Sequence, residues 1–286
     1  MVYYDDEKGV WDSLQVKLRK RGNFRLNNCY FVPLKIKIKK SVAKTTLFEG
    51  NKKMKMVLPC LREKSANDDI VEEYLAYKIY EHISPYHFKT RFFEADITEK
   101  KGKKDKTHQV KGFFIEDLDK IVERFSCNEL KREVHPLQQE EHCSTRNAFF
   151  QFMIGNTDFS TGLQHNEKLI FVEGHAIPIP YDFDMSGLVN ASYSRVSQIG
   201  DTKLPITQVR DRLYRGFKRD PLVFETVRRE YLKKKEAIIQ TVQAAEQWFE
   251  DPGSHASAQA YIIEFFSILS NEFKFNEQIV GAARIK

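Results

Sequence analysis

Cysteine, long apolar runs and export signals are all scarce in this sequence. Its 286 residues contain four cysteines, none of them in a C-x-x-C pair, which argues against a zinc site and excludes a disulfide-dense miniprotein. No apolar run reaches the roughly 18–20 residues of a membrane-spanning helix. The first ten residues are acidic and lack the basic start and apolar stretch of a signal peptide. The sequence therefore predicts a soluble chain without a membrane span, unexported unless a leader has been removed.

The cysteines leave two locations open. All four lie far apart in the sequence, as expected for buried thiols in a cytoplasmic protein. A disulfide between Cys29 and Cys60 is the alternative for an extracellular or cell-envelope protein. The sequence does not choose between these locations.

Charge is distributed unevenly along the chain. The net charge is +6, but the first 60 residues hold 14 lysines and arginines against 5 acidic residues, whereas residues 111–286 hold 22 against 25. The basic front would suit an anion such as phosphate, nucleic acid or anionic lipid, and the acidic remainder would suit a cation. Solvated lysines on strand edges are the alternative explanation of the basic front.

The hydrophobic pattern predicts an α+β chain. Period-two alternation indicates strands near residues 14–18, 34–38 and 54–58 with one apolar and one cationic face, then a helix capped at residues 67–69. The remaining predicted elements are strands at 90–97 and 109–116 around a lysine-rich loop (100–106), helices at 118–125, 136–154, 205–219, 221–250 and 256–275, and a hairpin at 169–181. We expect a β-rich lobe with one helix at residues 1–117 and a mainly helical lobe at residues 118–286.

The densest group of chemically capable residues lies in the second region. Asp158 and Asn166 share one polar loop, and Asp182 and Asp184 follow a predicted strand. Magnesium prefers oxygen ligands from one or two carboxylates and completes its shell with phosphate and water. The hairpin would bring Asp182 beside Asn166 and leave Asp158 to orient an attacking hydroxyl. This division of labour is that of phosphoryl transfer.

The same template requires a lysine on a strand and a glutamate on the next helix. Lys55 lies on the third predicted strand, and Glu73 follows it by 18 residues on the first predicted helix. Lys37 is the alternative lysine. The apolar strand that ends at Glu116 falls where a hinge contacting adenine would join the lobes.

These motifs, in this order, resemble the CotH-like branch of the atypical protein-kinase-like fold. The resembling segments are residues 21–25, 53–60, 73–77, 112–117, 155–166 and 181–187. The part around Asp158, Asn166 and Asp182 is also similar to HipA-type kinases. The resemblance implies a bilobal fold, binding of ATP with Mg²⁺ or alternatively Mn²⁺, and transfer of phosphate to a Ser, Thr or Tyr hydroxyl of a protein. It also implies an exported or surface location.

Three departures separate the chain from a standard kinase. It has no G-x-G-x-x-G loop, so Arg21 and Arg25 would contact phosphate through their guanidinium groups instead. The spacing of eight residues between Asp158 and Asn166 is longer than usual. Asp184 replaces the glycine of Asp-Phe-Gly and is interpreted as a second metal ligand or as a turn cap. Serine and tyrosine hydroxyls in residues 186–203 are candidate autophosphorylation sites.

Three functions follow from these observations. The leading hypothesis is an active kinase in which Asp158, Lys55 and Glu73 are catalytic. In it Lys55, Arg21, Arg25 and Glu116 contact nucleotide, and Asn166, Asp182 and Asp184 hold the metal. The second is a kinase-shaped binding or structural protein without catalysis. The third, an anion-binding module on the strands of residues 14–57 with nucleic acid as one candidate ligand, is the least favoured.

Overall fold

The computed structural model of the chain describes residues 1–22, 24–102, 104–197 and 203–285. Some residues named in the predictions lie outside the described residues. They are Asn23 of the segment 21–25, Lys103 of the lysine-rich loop (100–106), and residues 198–202 of the segment 186–203. No helix among the described residues combines the length and apolarity needed to cross a bilayer.

The described residues form three antiparallel sheets. The first is a hairpin of β1 (Val2–Asp5) and β2 (Val10–Ser13). The second has the order β3-β4-β5-β7-β6. Its strands are β3 (Val16–Lys20), β4 (Leu34–Ile38), β5 (Lys53–Val57), β6 (Thr90–Lys101) and β7 (Lys104–Glu116). The third pairs β9 (Glu167–Val172) with β10 (His175–Pro180) and with the short β8 (Asn128–Glu129).

Eight helices accompany these sheets in the described part of the chain, so the predicted α+β class is confirmed. They are α1 (Phe24–Asn28), α2 (Lys40–Ala43), α3 (Ser65–Ile83), α4 (Leu118–Phe125), α5 (Glu141–Met153), α6 (Pro221–Ala244), α7 (Pro252–Ser270) and α8 (Glu272–Phe275). Short helical turns at Pro136–Gln138, Glu246–Trp248 and Asn276–Val280 complete the list.

The first three strands of the five-stranded sheet have one apolar and one mainly cationic face, as predicted, with Val57 as the exception on the second face. Ile36 and Met54 face a small core that Phe48 completes. On the opposite face, Val57 belongs to the main core. Lys55 lies on that second face because strand side chains alternate. The same face continues over β4 and β3 with Lys35, Lys37, Lys17 and Arg19, which lie in register with Lys53 and Lys55.

Helix α3 is the centre of the main core. Fourteen of its 19 residues are buried. The Tyr77 ring lies 4.6 Å from the Phe183 ring, and the Tyr80 ring lies 4.6 Å from the Phe150 ring of α5. Asp68 accepts hydrogen bonds from the backbone N–H groups of residues 250 and 251. The sheet, α3 and the later helices consequently share one continuous apolar core.

Some predicted elements differ from the structure. Three helices precede residue 117 instead of one, and two of these have only four or five residues. The predicted helix at 136–154 begins at Glu141, after a separate short turn. The β1–β2 hairpin lacks a clear apolar alternation and was not predicted.

The predicted helix at residues 205–219 does not form. Polar side chains of this segment instead bind backbone groups, either in local turns or elsewhere in the chain. The Asp211 carboxylate accepts from the N–H groups of Thr207 and Gln208. Arg215 donates to the carbonyl oxygens of Thr157 and Phe159. These bonds compete with a helical ladder, and the segment packs against the loop that holds Asp158 instead.

Candidate functional site

Phe183 anchors the segment that carries the two predicted metal-binding aspartates. Its ring is fully buried and lies 4.6 Å from the Tyr77 ring and 5.2 Å from the Phe150 ring, centroid to centroid. The N–H of Asp182 donates to the Tyr77 hydroxyl over 2.9 Å, and Asp182 has a φ of 67°. Such a backbone conformation is uncommon for a residue other than glycine and persists where packing fixes it. The Phe183 anchor thus fixes the two carboxylates that flank it.

Arg25 is a buried cation between α3 and this segment. It lies on α1, and its Nη2 donates to the carbonyl oxygen of Leu58 over 2.6 Å. Its Nη1 is 3.9 Å from Oε2 of Glu73, and its Nε is 3.9 Å from Oδ2 of Asp184. One guanidinium group therefore joins the helix glutamate to the second aspartate.

A disulfide holds α1 in this place. Cys29, directly after α1, is bonded to Cys60, which follows β5, with the two Cα atoms 4.5 Å apart. The N–H of Tyr30 donates to the carbonyl oxygen of Cys60 over 2.8 Å. The Cys29–Cys60 disulfide, the alternative to four buried thiols, is therefore present, while Cys127 and Cys143 are free thiols.

Burial raises the pKa values of the site's carboxylates more than the neighbouring positive charge lowers them. Burial, with a further contribution from the charge of Asp182, raises the pKa of Asp184 to about 6, although Arg25 opposes the shift. Burial and the charge of Asp184 raise the pKa of Glu73 well above its ordinary range. Burial raises the pKa of neighbouring Asp69 to about 6 as well. An added cation would lower these pKa values, because it favours the charged form of each carboxylate.

Lys55 is not paired with Glu73, in contrast to the predicted lysine–glutamate pair. Its Nζ lies over the Tyr181 ring, 4.0 Å from the centroid, and 5.3 Å from the centroid of Phe88. Among the described residues no carboxylate forms an ion pair with it. Burial, and secondly the charge of Arg21, lower the pKa of Lys55 to about 7. Arg25 is the cation that pairs with Glu73.

Three polar atoms of the site are buried and lack a hydrogen-bond partner among the described residues. They are Nε of Arg21, Nε of Arg25 and Oε1 of Glu73. The charge of Arg21 acts on both Lys55 and Glu73, so these side chains share one electrostatic environment. Native proteins satisfy almost all buried polar groups. Two guanidinium N–H donors without a hydrogen bond among the described residues fit an anionic ligand, although Nε of Arg25 also lies 3.9 Å from Oδ2 of Asp184 in an ion pair.

Asp158 and Asn166 are in contact despite their long spacing in the sequence. Nδ2 of Asn166 donates to the backbone oxygen of Asp158 over 2.7 Å and to its Oδ2 over 2.9 Å. These bonds leave the carbonyl oxygen of the Asn166 amide as the atom that could face a cation. His165 lies 3.4 Å from Oδ1 of Asp158. The charge of Asp158 contributes to the raised pKa of Asp184, so the loop and the aspartate segment belong to one site.

The residues that support this loop were missed by the sequence analysis. The N–H of Asp158 donates to Oδ1 of Asn156, whose Nδ2 donates to Gln151 of α5. One turn earlier on α5, Asn147 donates to the buried Glu167, which directly follows Asn166. The signal available in the sequence was the pair of amide residues Asn147 and Gln151, four residues apart in a phenylalanine-rich helix. Burial raises the pKa of Glu167 to about 7.

Glu116 has a structural role at the end of β7. Its carboxylate accepts from the backbone N–H of Lys89 over 2.9 Å and from two guanidinium nitrogens of Arg124, at 2.7 and 3.2 Å. A nucleotide contact by this side chain would require that ion pair to break. The predicted nucleotide-binding role of Glu116 stays a prediction.

The described residues hold no group of three His, Cys, Asp or Glu side chains that would bind a metal by itself. The donors present are two carboxylates, Asp182 and Asp184, and the amide oxygen of Asn166. This set fits Mg²⁺, which commonly takes one or two carboxylates and obtains its other ligands from phosphate and water. It does not fit a zinc site, which requires nitrogen or sulfur ligands.

Comparison with known proteins adds no identity. The chain matches no protein-family model and no curated protein.

Proposed function

We propose that this chain is an atypical, CotH-like protein kinase that transfers the γ-phosphate of ATP to a protein hydroxyl. In this proposal residues 1–117 and residues 118–286 are the two lobes of a kinase-like fold. The third strand of the five-stranded sheet carries Lys55, and the helix that follows carries Glu73. That order is the one that the kinase template requires.

The observation that carries the proposal is the meeting of cations and carboxylates around Arg25. The guanidinium groups of Arg21 and Arg25 each have a buried donor without a hydrogen bond among the described residues, and the charge of Arg21 acts on Lys55, which has no ion pair there. These three cations would bind the triphosphate. Guanidinium groups donate in a planar fork that matches phosphate oxygens, which compensates for the missing glycine-rich loop.

Asn166, Asp182 and Asp184 would hold the magnesium ion. When bound, the ion would supply positive charge that offsets the charge developing during phosphate transfer. The protein's own task at this point is to keep three oxygen donors in place. The Phe183 anchor and the hydrogen bonds from Asn166 to Asp158 hold these donors in position.

Asp158 would orient the acceptor hydroxyl and accept its proton. Its side chain is about a quarter exposed, so an acceptor hydroxyl could reach it from solvent. Oδ2 is held by Asn166, so Oδ1, which lies 3.4 Å from His165 and accepts from the Ser197 hydroxyl, is the oxygen that would accept the proton. A general base must first of all lie within hydrogen-bond distance of the group whose proton it accepts.

A thermal shift experiment tests nucleotide binding directly. Saturating ATP with Mg²⁺, at about 100 times the dissociation constant, should stabilise the wild-type protein by about 2.7 kcal/mol. Asp182→Asn should lose the metal-dependent part of this shift. Asp119→Asn is the matched control, because Asp119 is exposed and pairs with exposed Lys53. Absence of any metal-dependent shift in the wild-type protein would refute the proposal.

Phosphate transfer to dephosphorylated casein tests catalysis separately. The second candidate function, a kinase-shaped binding or structural protein of the cell surface or envelope, predicts nucleotide binding without transfer. The unpaired Lys55 favours this candidate, because the template joins the strand lysine to the helix glutamate. Transfer that Asp158→Asn abolishes would exclude it.

The disulfide supports an exported location within this proposal. Structural disulfides persist in oxidising compartments and are rare in the cytosol. The Cys29–Cys60 bond therefore favours an extracellular or envelope protein over a cytoplasmic one.

Two lysines of the basic strands pair with acidic residues, Lys35 with Asp117 and Lys53 with Asp119. These ion pairs weaken the case for a nucleic-acid surface.

A further inference from the structure

The segment that follows Asp184 returns to the candidate site and places two hydroxyl groups on its carboxylates. The Tyr193 hydroxyl donates to Oδ2 of Asp184 over 3.3 Å. The Ser197 hydroxyl donates to Oδ1 of Asp158, also over 3.3 Å. Both side chains thus reach the carboxylates to which the proposed function gives chemical roles.

Ser197 is held in this position by its backbone as well as by its side chain. Its N–H donates to Oγ1 of Thr157, the neighbour of Asp158, over 3.4 Å. The residue is buried, with 8% of its surface exposed. A hydroxyl bonded to the carboxylate oxygen that would accept its proton is in the geometry that an acceptor serine needs.

Two neighbouring hydroxyls of the segment are placed differently. The Ser194 hydroxyl donates to the backbone oxygen of Ala191 over 2.6 Å and stabilises a local turn. Tyr193 contacts Asp184, which the proposed function assigns to the metal and not to proton transfer. Ser197 alone among these three contacts the proposed base.

We propose that Ser197 is a phosphorylation site of this chain, modified by the chain's own active site. The inference rests on the proposed function and names its first acceptor. Because the serine is buried against Thr157 and Asp158 of the same molecule, the reaction is intramolecular.

The reaction is a single displacement at the γ-phosphorus of ATP. The Ser197 Oγ forms a bond to phosphorus while the bond from phosphorus to the bridging β,γ-oxygen breaks, and ADP leaves with that oxygen. The hydroxyl proton passes to Oδ1 of Asp158, 3.3 Å away. Arg21, Arg25 and Lys55 offset the charge of the departing diphosphate.

Mass spectrometry of the full chain tests the proposal. The protein is first treated with a phosphatase that is then removed, and is incubated with ATP and Mg²⁺. We expect one phosphate, on Ser197, formed at a rate per molecule that does not change with protein concentration. Ser197→Ala should abolish this phosphate, and Ser197→Thr should restore a phosphorylated residue. Ser194→Ala is the matched control and should be modified as the wild type is.

The results separate this inference from the proposed function. Metal-dependent ATP binding and casein phosphorylation with no phosphate on Ser197 would overturn the inference and leave the proposed function standing. Phosphate on another residue that persists in Ser197→Ala would overturn it as well. If ATP neither binds nor donates phosphate, both fail together. Melting temperatures measured without nucleotide identify any variant that does not fold. If Ser197→Ala does not fold, the presence or absence of phosphate on residue 197 of Ser197→Thr tests the proposal.

Discussion

Nη1 of Arg25 lies 3.9 Å from Oε2 of Glu73, and both side chains are almost completely buried, with exposures of 8% and 1%. The same guanidinium group is 3.9 Å from Asp184. A helix of only five residues therefore supplies the cation that meets the long helix and the aspartate segment. This ion pair joins three parts of the chain that are far apart in sequence.

Removal of Arg25 should destabilise the protein strongly. Arg25→Ala leaves the buried carboxylates of Glu73 and Asp184 without their shared cation. Loss of one partner of a buried ion pair typically costs about 3–5 kcal/mol. Urea denaturation of the variant measures this loss.

Two further variants make the Arg25 experiment specific. Arg19→Ala removes an exposed arginine of β3 and should change the unfolding free energy by about 0.5 kcal/mol or less. Adding Glu73→Gln to Arg25→Ala should recover part of the loss, because the two residues interact. Additive effects of the two substitutions would contradict the coupling.

The sequence was sufficient to predict the part of the site that depends on local order. The hairpin was expected to return Asp182 beside Asn166, and the N–H of Tyr181, the residue before Asp182, donates to the backbone oxygen of Asn166 over 3.0 Å. The central strands of the main sheet were predicted from alternation alone. These features depend on residues close together in the chain or on a regular period.

The sequence was not sufficient where a side chain bridges distant segments. Nothing in the local pattern around Arg25 indicates that it would displace Lys55 as the partner of Glu73. The path of residues 205–219 was also predicted wrongly, since Arg215 binds carbonyl oxygens about 56 residues earlier in the chain. Tertiary contacts of this kind override local propensity.

Stability should fall as the pH rises through the range in which Asp184 ionises. Burial raises its pKa from 3.8 to about 6, so between these pH values the folded state holds a proton that the unfolded state has lost. The slope of stability with pH is therefore negative over this interval. Asp184→Asn should flatten this part of the curve, measured as the unfolding free energy from about pH 4 to about pH 6. An unchanged slope in the variant would show that other groups, such as Asp69, dominate.

Nucleotide binding should weaken as the pH rises through about 7, because burial lowers the pKa of Lys55 to that value. A bound triphosphate favours the protonated lysine, so binding should be accompanied by proton uptake above this pH. Loss of one charge-assisted hydrogen bond costs about 1.5–3 kcal/mol, or at least tenfold in affinity. Isothermal titration calorimetry in buffers of different ionisation enthalpy measures both the affinity and the protons taken up.

Lys55→Arg is the control for the titration of ATP itself. Arginine stays charged across this range, so the variant should keep only the pH dependence that belongs to the nucleotide. If wild type and variant show the same pH dependence and the same proton uptake, Lys55 does not contact the phosphates.

Reduction of the Cys29–Cys60 disulfide should weaken both folding and nucleotide binding. The bond closes a loop with a sequence separation of 31, and the chain-entropy model gives about 3–4 kcal/mol for a loop of this size. Reduction also releases the end of α1, which holds Arg25 against Leu58 and Glu73. We therefore expect a lower melting temperature and at least tenfold weaker ATP binding in the presence of a reductant.

A Cys29→Ala/Cys60→Ala variant separates the disulfide from other effects of the reductant. It should match the reduced wild type in melting temperature and ATP affinity, and reductant should not change it further. The free thiols Cys127 and Cys143 are present in both proteins, so they cannot account for a difference between them. If reduction lowers the melting temperature and leaves ATP affinity unchanged, α1 keeps Arg25 in place without the disulfide. The bond then stabilises the fold alone, and the buried contacts of Arg25 are what hold the cation at the site.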